Sequence, residues 1–553
     1  MKHFENGEIQ GMPADRRPPV TARDRKERIM VKLPVGIQGF EGLRRDQYLY
    51  VDKTEFIYKM VHTGKEYFLS RPRRFGKSLL LSTLRAYWEG KKDLFEGLSI
   101  MELESRSCDA WKPHPVFYFD FNGQNYLIDG ALETALDIHL RRWEKELGLE
   151  GENRSLGERF QDALIEANRQ TGLRVVVLVD EYDKPLLDVM ENRDLEEHNK
   201  AVFKGFFSSL KGFDEYIRFV FITGITKFEK VSIFSDLNQL EDISLDSDYA
   251  QICGITEAEL TSCFRPQIER MAEEKKISTD DCISRLRRTY DGYRFSSDPG
   301  LCVYNPYDLL TALKKRNYGA YWYETGTPTF LLKRLKELHF DVRQLTDGGI
   351  FATERALSSF RAEQIDPVPL LYQTGYLTIT DYDVTGEYYT LRIPNEEVRY
   401  AFMESLMPEY VDGVGPGSGK DILTLRGYME AGDLSKIMEV LAALFASIPY
   451  TTNDAPFEHY FQTVLFIVFT LLDQYVHCEY HTALGRIDCI VETKQFVYLF
   501  EFKKDKSAEE ALQQINDRNY AASFAADKRK LIKVGVNFDS EKRLLENWKT
   551  EES

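Results

Sequence analysis

Five consecutive apolar residues, Val175-Val176-Val177-Leu178-Val179, run directly into two acids, Asp180-Glu181. A strand with one wet face alternates apolar and polar side chains. One that is apolar at every position must be covered on both faces, which points to the interior of a parallel sheet with helices on each side. The chain is therefore expected to contain an α/β domain. Strand-like runs at 67–69, 116–121 and 217–222 alternate with helical patterns at 79–88, 132–147 and 160–169, the order such a sheet requires.

A length of 553 residues leaves room for three to four domains. The pattern turns mostly helical from about 256 to 449, with a strand-like insert at 376–379 and 388–393. The last hundred residues read as a compact α-β-β-β-α-β unit, and a glycine-rich joint is expected at 412–419. The expected organisation is an extension at 1–29, a phosphate-loop domain at 30–250, a helical lid or connector at 251–450 and a final domain at 451–553. A hydrophobic content of 43% with 29% charged residues fits a globular chain. The net charge of −17 excludes a surface that is basic throughout, so nucleic acid would have to be held in a local groove. Seven scattered cysteines without a Cys-x-x-Cys pair suggest neither a disulfide framework nor structural zinc, and fit a cytoplasmic protein. The polar start has no apolar core for a signal peptide, and the longest apolar run, 464–472, is far short of the roughly 20 residues that span a bilayer.

The run at 67–70 leads into Arg71-Pro72-Arg73-Arg74-Phe75-Gly76-Lys77-Ser78 and then into the helical pattern beginning at Leu79. Strand, loop and helix in this order make a phosphate site. Backbone N–H groups surround the phosphates, Lys77 reaches the β and γ oxygens, and the Ser78 hydroxyl is a magnesium ligand. The generic motif wants glycine where this chain has Arg71. The acids after the apolar strand supply the other half: Asp180 to orient magnesium and Glu181 to polarise the attacking water. Arg73, Arg74, Phe75, Gly76 and Leu79 complete the expected ATP contacts. Thr223, at the end of the next strand, either senses the γ-phosphate or simply ends the strand.

Near the C-terminus, Asp488 lies on one strand and Glu501 and Lys503 on the next, two apart and so on one face. Charges at the end of apolar strands need a partner. A divalent cation held by Asp488 and Glu501, with Lys503 positioning or activating water, would hydrolyse a phosphodiester; a solvated salt bridge is the plainer alternative. Glu458 is a weaker acidic candidate. Gln514 and Arg518, four apart on a helix, could face the site or a phosphate. His477, Glu479 and His481 share a strand face, but alternating polar residues on a half-exposed strand explain them better than zinc does.

These residues, together with Leu33-Pro34-Val35-Gly36-Ile37-Gln38, Tyr50-Val51-Asp52-Lys53-Thr54, Tyr182-Asp183-Lys184-Pro185 and Thr325-Gly326-Thr327-Pro328, resemble a bacterial and archaeal family. Its members carry an N-terminal AAA-ATPase-like domain and a C-terminal PD-(D/E)XK nuclease-like domain. The resemblance implies an AAA/ASCE-like parallel-sheet domain and a restriction-endonuclease-like end. It also implies ATP and Mg2+ as cofactors and an ATPase coupled to a nuclease acting on nucleic acid, DNA foremost, with self-association as a further expectation. Arg71 departs from the general loop pattern but not from the family's version, and Asp488, Glu501 and Lys503 carry the nuclease motif, with Ile487 standing where its proline would be. A competing expectation is a nucleotide-gated switch or scaffold whose C-terminal module binds without cutting. If there is a nucleic-acid groove, it is expected around Lys503, Lys504, Lys506 and Arg518.

Overall fold

The computed structural model describes residues 31–150, 154–227, 240–323, 329–338, 340–345, 349–358, 366–410, 419–446, 457–473, 477–479, 487–539, 542 and 544–552. The expected extension at 1–29, the joint at 412–418, the motif at 325–328 and His481 lie outside these residues.

Strands β1 (Glu66–Ser70), β2 (Val116–Asp120), β3 (Val175–Asp180), β4 (Ile217–Gly224) and β5 (Glu241–Asp242) form one parallel sheet in the order β2-β3-β4-β1-β5. Every residue of β3 is buried, as its composition requires. The helix Leu156–Thr171 starts with a capping box between Ser155 and Glu158 and stops at Gly172, whose φ of 67° is left-handed. Its Phe160, with Trp143 of the helix Ala131–Leu147, packs on Phe117 and Phe119 of β2. Because β4 lies between β1 and β3, the loop after β1 and the acids ending β3 open at the same edge of the sheet. Ligands of open parallel sheets bind outside the carboxyl ends of the strands, where the strand order reverses.

The middle of the chain is helical apart from a short ribbon, β6 (Tyr293–Arg294) with β7 (Cys302–Val303), and an antiparallel sheet. That sheet comprises β8 (Ile350–Thr353), β9 (Thr378–Asp383) and β10 (Tyr388–Arg392), in the order β8-β10-β9. The strand-like insert is therefore three-stranded rather than two. The final sheet runs β11 (His477–Glu479), β12 (Cys489–Glu492), β13 (Phe496–Lys504), β14 (Lys530–Asp539), β15 (Leu544–Glu552), neighbours in chain order, with only the β13–β14 pair parallel. The helix Phe457–Asp473 covers one face, its Phe469 5.7 Å from Phe500. The helix Ala508–Asp517 covers the other, its Ile515 buried with Val497 and Leu499. The expected α-β-β-β-α-β unit is extended by β15. One hydrophobic core continues from Val177 through Leu371 and Phe402 to Phe500, and among the described residues no helix is long and apolar enough to cross a membrane.

Candidate functional site

The phosphate-type loop joins β1 to the helix Lys77–Trp88. Gly76 caps that helix with φ 95°, a left-handed conformation that favours glycine, and the space where a Cβ would stand is open. Behind the loop, Arg71 is 1% exposed. Its guanidinium donates to the carbonyls of Ser70 (2.9 Å), Ser244 (2.8 Å) and Tyr249 (3.2 Å) and lies 4.2 Å from the Phe295 ring centroid. The arginine in the generic glycine position is thus a buried staple joining β1 to the segment after β5. Phe75 is buried against Tyr293 (4.8 Å) and Phe295 (5.5 Å), contacts that anchor the loop. Arg73 and Arg74 are exposed, with Arg74 over the Tyr307 ring. The Arg73 carbonyl accepts the Trp322 indole N–H at 3.1 Å, and Gly375 sits so close to Pro72 that a Cβ there would stand 2.8 Å from the proline ring.

Lys77 is 5% exposed and donates to the carbonyls of Arg71 (2.9 Å) and Pro72 (3.0 Å). Burial lowers its pKa, while Glu181, Asp180 and Asp183 pull the other way. Asp180 is buried. Its Oδ2 accepts from the Tyr118 hydroxyl (3.2 Å), the nearby Ser78 side chain holds its pKa down, and its Oδ1 has no partner. Burial pushes its pKa up to about 6. An unpartnered buried carboxylate oxygen beside a serine hydroxyl fits a cation ligand. Glu181, next in the chain, holds φ 49°, a strained conformation for a non-glycine residue of the kind stored at functional sites.

Thr223 is placed differently from a γ-phosphate sensor: its hydroxyl is fully buried and donates to the Leu69 carbonyl at 2.8 Å, tying β4 to β1. Asp183, which the sequence reading did not assign to the site, accepts from the backbone N–H groups of Ile225 (3.0 Å) and Thr226 (2.6 Å) and from the Thr226 hydroxyl (2.7 Å), fixing the chain beyond β4. A second unassigned feature is an apolar cavity of about 90 Å³ against Gly76 and Leu79. Pro34, Tyr50, Val51, Ile252 and Leu310 help to line it. These come from three distant stretches of chain, so no local pattern could announce it.

In the final sheet, Asp488 Oδ2 accepts the Phe502 N–H at 2.7 Å, which sets its carboxylate against β13. Glu501, 2% exposed, accepts from Lys503 Nζ (2.9 Å) and from the Gln514 amide through Oε1; its Oε2 is buried without a partner. Burial pushes its pKa up to about 7, helped by the Asp488 charge and opposed by Lys503. The ion pair expected as the plain reading is therefore present, yet it engages one Glu501 oxygen and leaves the other to accept a cation. Of the two helix residues, Gln514 joins the cluster, while Arg518 is exposed at the end of its helix. Lys504 and Lys506 are also exposed. Glu458 falls in the helix Phe457–Asp473, whereas His477 and Glu479 lie on β11, and among the described residues no three His, Cys, Asp or Glu side chains cluster to hold a metal.

A parallel sheet with a glycine-capped phosphate loop one strand away from a buried Asp180 and the half-buried Glu181 that follows it, succeeded by a mixed sheet with an Asp, Glu and Lys cluster, defines a P-loop ATPase-like protein with a nuclease-like module. Residues 34–234 match the family described as "Predicted AAA-ATPase", and residues 456–548 match the "PD-(D/E)XK nuclease superfamily". The "Uncharacterized protein in vnfD 5'region" of Azotobacter chroococcum mcd 1 is 37% identical over 526 residues, covering 93% of this chain and 97% of its own. The chain belongs to the family that joins an AAA-ATPase-like domain to a C-terminal PD-(D/E)XK nuclease domain.

Proposed function

We propose that the chain binds and hydrolyses ATP at the first site and uses it to control magnesium-dependent cleavage of nucleic acid, DNA foremost, at the second. One recurring observation carries this reading: Asp180 Oδ1, at the end of β3, and Glu501 Oε2, within β13, are both carboxylate oxygens buried without a partner, each with a lysine nearby. At the first site the nucleobase enters the apolar cavity beside Leu79. The N–H groups around Gly76 and Lys77 face the phosphates, and Arg73 and Arg74 approach them from the exposed side of the loop. Lys77 exchanges its two loop carbonyls for phosphate oxygens, Ser78 and Asp180 hold magnesium, and Glu181 orients the attacking water. At the second site Asp488 and Glu501 hold magnesium, Gln514 fixes the Glu501 carboxylate, and Lys503 positions a water and stabilises developing negative charge. Bound magnesium supplies neutralisation of phosphate charge at both sites. Lys504, Lys506 and Arg518 offer the cations for the phosphate backbone, in keeping with an acidic chain that holds nucleic acid only locally. Cys108, Cys253, Cys263, Cys282, Cys302 and Cys489 are free thiols, which agrees with work in the cytoplasm.

The contacts of Arg73 with Trp322 and of Phe75 with Tyr293 favour a second reading, a nucleotide-gated switch in which the middle region responds to ATP and the C-terminal module binds without cutting. Defined single- and double-stranded DNA and RNA, incubated with Mg2+ with and without ATP, separate the two. Lys503→Ala is expected to abolish cleavage with folding and ATP binding intact, and Lys77→Ala to weaken ATP binding by more than tenfold in calorimetry. Assembly on size-exclusion chromatography with non-hydrolysable ATP, and no cleavage of any substrate, would replace the nuclease reading with the switch.

A further inference from the structure

Two buried carboxylates outside both sites converge on one backbone N–H. Asp308, 0% exposed, lies in the first turn of the helix Pro306–Lys315, and Glu397, 4% exposed, in the first turn of the helix Glu396–Tyr410. The Trp322 N–H donates to Asp308 Oδ1 at 2.5 Å and to Glu397 Oε1 at 3.1 Å. Asp308 Oδ2 is shut from water and accepts no hydrogen bond. Among the described residues, the groups that act on the Asp308 carboxyl are Glu397 and this N–H, with no cation between them. The titratable side chains facing the pair are phenols: Tyr290 at the end of the helix Thr279–Tyr290 and Tyr293 of β6, with Tyr321 and Tyr376 beside them.

Two negative charges that share one donor in a buried place repel each other without a counter-ion, so one carboxyl keeps a proton. Burial first, and then the Glu397 charge, hold Asp308 well above the usual carboxylate range. A proton there removes the cost of the bare Asp308 oxygen, and the two helix N-termini favour the single charge that remains. One residue ties the pair to the phosphate loop: Trp322, whose backbone they hold, donates its indole N–H to the Arg73 carbonyl at 3.1 Å.

We propose that Asp308 and Glu397 share one proton and act as positioning residues for the phosphate loop, holding Trp322 and, through it, the Arg73 carbonyl. The consequence for ATP rests on the nucleotide site proposed for that loop. The proton stays at neutral pH and leaves as pH rises through the raised pKa, whereupon two like charges part and release the tryptophan.

Two measurements use the full chain without nucleotide. At about pH 8, Asp180, pushed up to about 6, and Glu501, pushed up to about 7, are largely ionised, so the infrared carbonyl band of a protonated carboxylic acid should persist and should shrink in Asp308→Asn. A band that Asp308→Asn leaves unchanged overturns the shared proton. Amide exchange over residues 73–80 reads the positioning. Asp308→Asn keeps Oδ1 for the Trp322 N–H and offers its amide to Glu397 without titrating, so protection should hold; Asp308→Ala, and Trp322→Phe, which lacks the indole donor, should lose it. Protection in Trp322→Phe equal to that of the unaltered chain overturns the positioning. With ATP, calorimetry between about pH 7 and 10 should show an affinity that falls about tenfold further in the unaltered chain than in Asp308→Asn; the same fall in both overturns the link between proton and loop. Absence of ATP binding at every pH would remove the nucleotide site alone, because the infrared and exchange readouts need no nucleotide.

Discussion

Replacing Arg71 by glycine would restore the generic phosphate-loop motif, and the structure predicts that it damages the protein. The guanidinium makes two short charge-assisted bonds, to Ser70 and Ser244, at about 1.5–3 kcal/mol each, a longer one to Tyr249, and a contact with Phe295. Removal also frees the chain at a new glycine, by about 1 kcal/mol. Relief of a desolvated charge returns several kcal/mol. The net expectation is a loss of about 3–5 kcal/mol, concentrated where the staple ends. Amide hydrogen exchange over residues 242–253 reads this local free energy directly. Those amides should lose protection in Arg71→Gly while the C-terminal sheet keeps its own, and ATP should bind more weakly. Arg71→Lys should fall between, since an ammonium lacks the planar fork that serves separate carbonyls and stacks on a ring. Unchanged protection in Arg71→Gly, or tighter ATP binding, would refute the staple.

Three other outcomes follow from the buried carboxylates and the loop clamp. Asp180, pushed up to about 6, holds its proton more tightly folded than unfolded, where Asp titrates near 3.9; stability conferred by that proton is therefore lost as pH rises from about 4 to 6. Asp180→Asn should raise the melting temperature of the metal-free protein at pH 8 but not at pH 4, and should abolish stabilisation by Mg-ATP; equal melting at pH 8 would contradict the burial argument. Glu501, pushed up to about 7, must lose a proton before it can hold a cation, so at limiting Mg2+ cleavage should fall about tenfold per pH unit below about 7, and the profile should move to lower pH as Mg2+ rises. A profile indifferent to Mg2+ would assign the titration elsewhere. Gly375→Ala imposes a side chain at φ 93° and against Pro72, at a cost of about 1–2 kcal/mol from the backbone alone, and should weaken ATP binding although Gly375 touches no phosphate; unchanged affinity in calorimetry would mean the clamp does not set the loop.

The apolar runs located β1 to β4, of which β1 and β3 are buried at every position, and the pairing of Glu501 with Lys503 was legible from their spacing on β13, while Asp488 stands just before β12 rather than on it. β5 was not: Glu241-Asp242 has no apolar signal and becomes a strand only by pairing with β1. β15 was missed because an edge strand carries charges, such as Lys549 and Glu551, that mask its alternation. The β2-β3-β4-β1-β5 order is a long-range property that no local window contains. Arg71 and Thr223 had the right neighbourhood and side chains turned into the core, since position along a motif does not say which way a side chain turns. Asp183 sat in view beside Asp180-Glu181, and its work became visible only when Ile225 and Thr226 came to lie against it.

Trp322 gives the molecule its own optical gauge. Its indole N–H ends on the Arg73 carbonyl, while its ring lies 5.4 Å from that of Tyr376, two residues before β9. Indole emission follows the polarity and hydrogen bonding of the N–H, so among the five tryptophans of the chain this one reports the bend of the phosphate loop without a dye, a tag or a change of sequence.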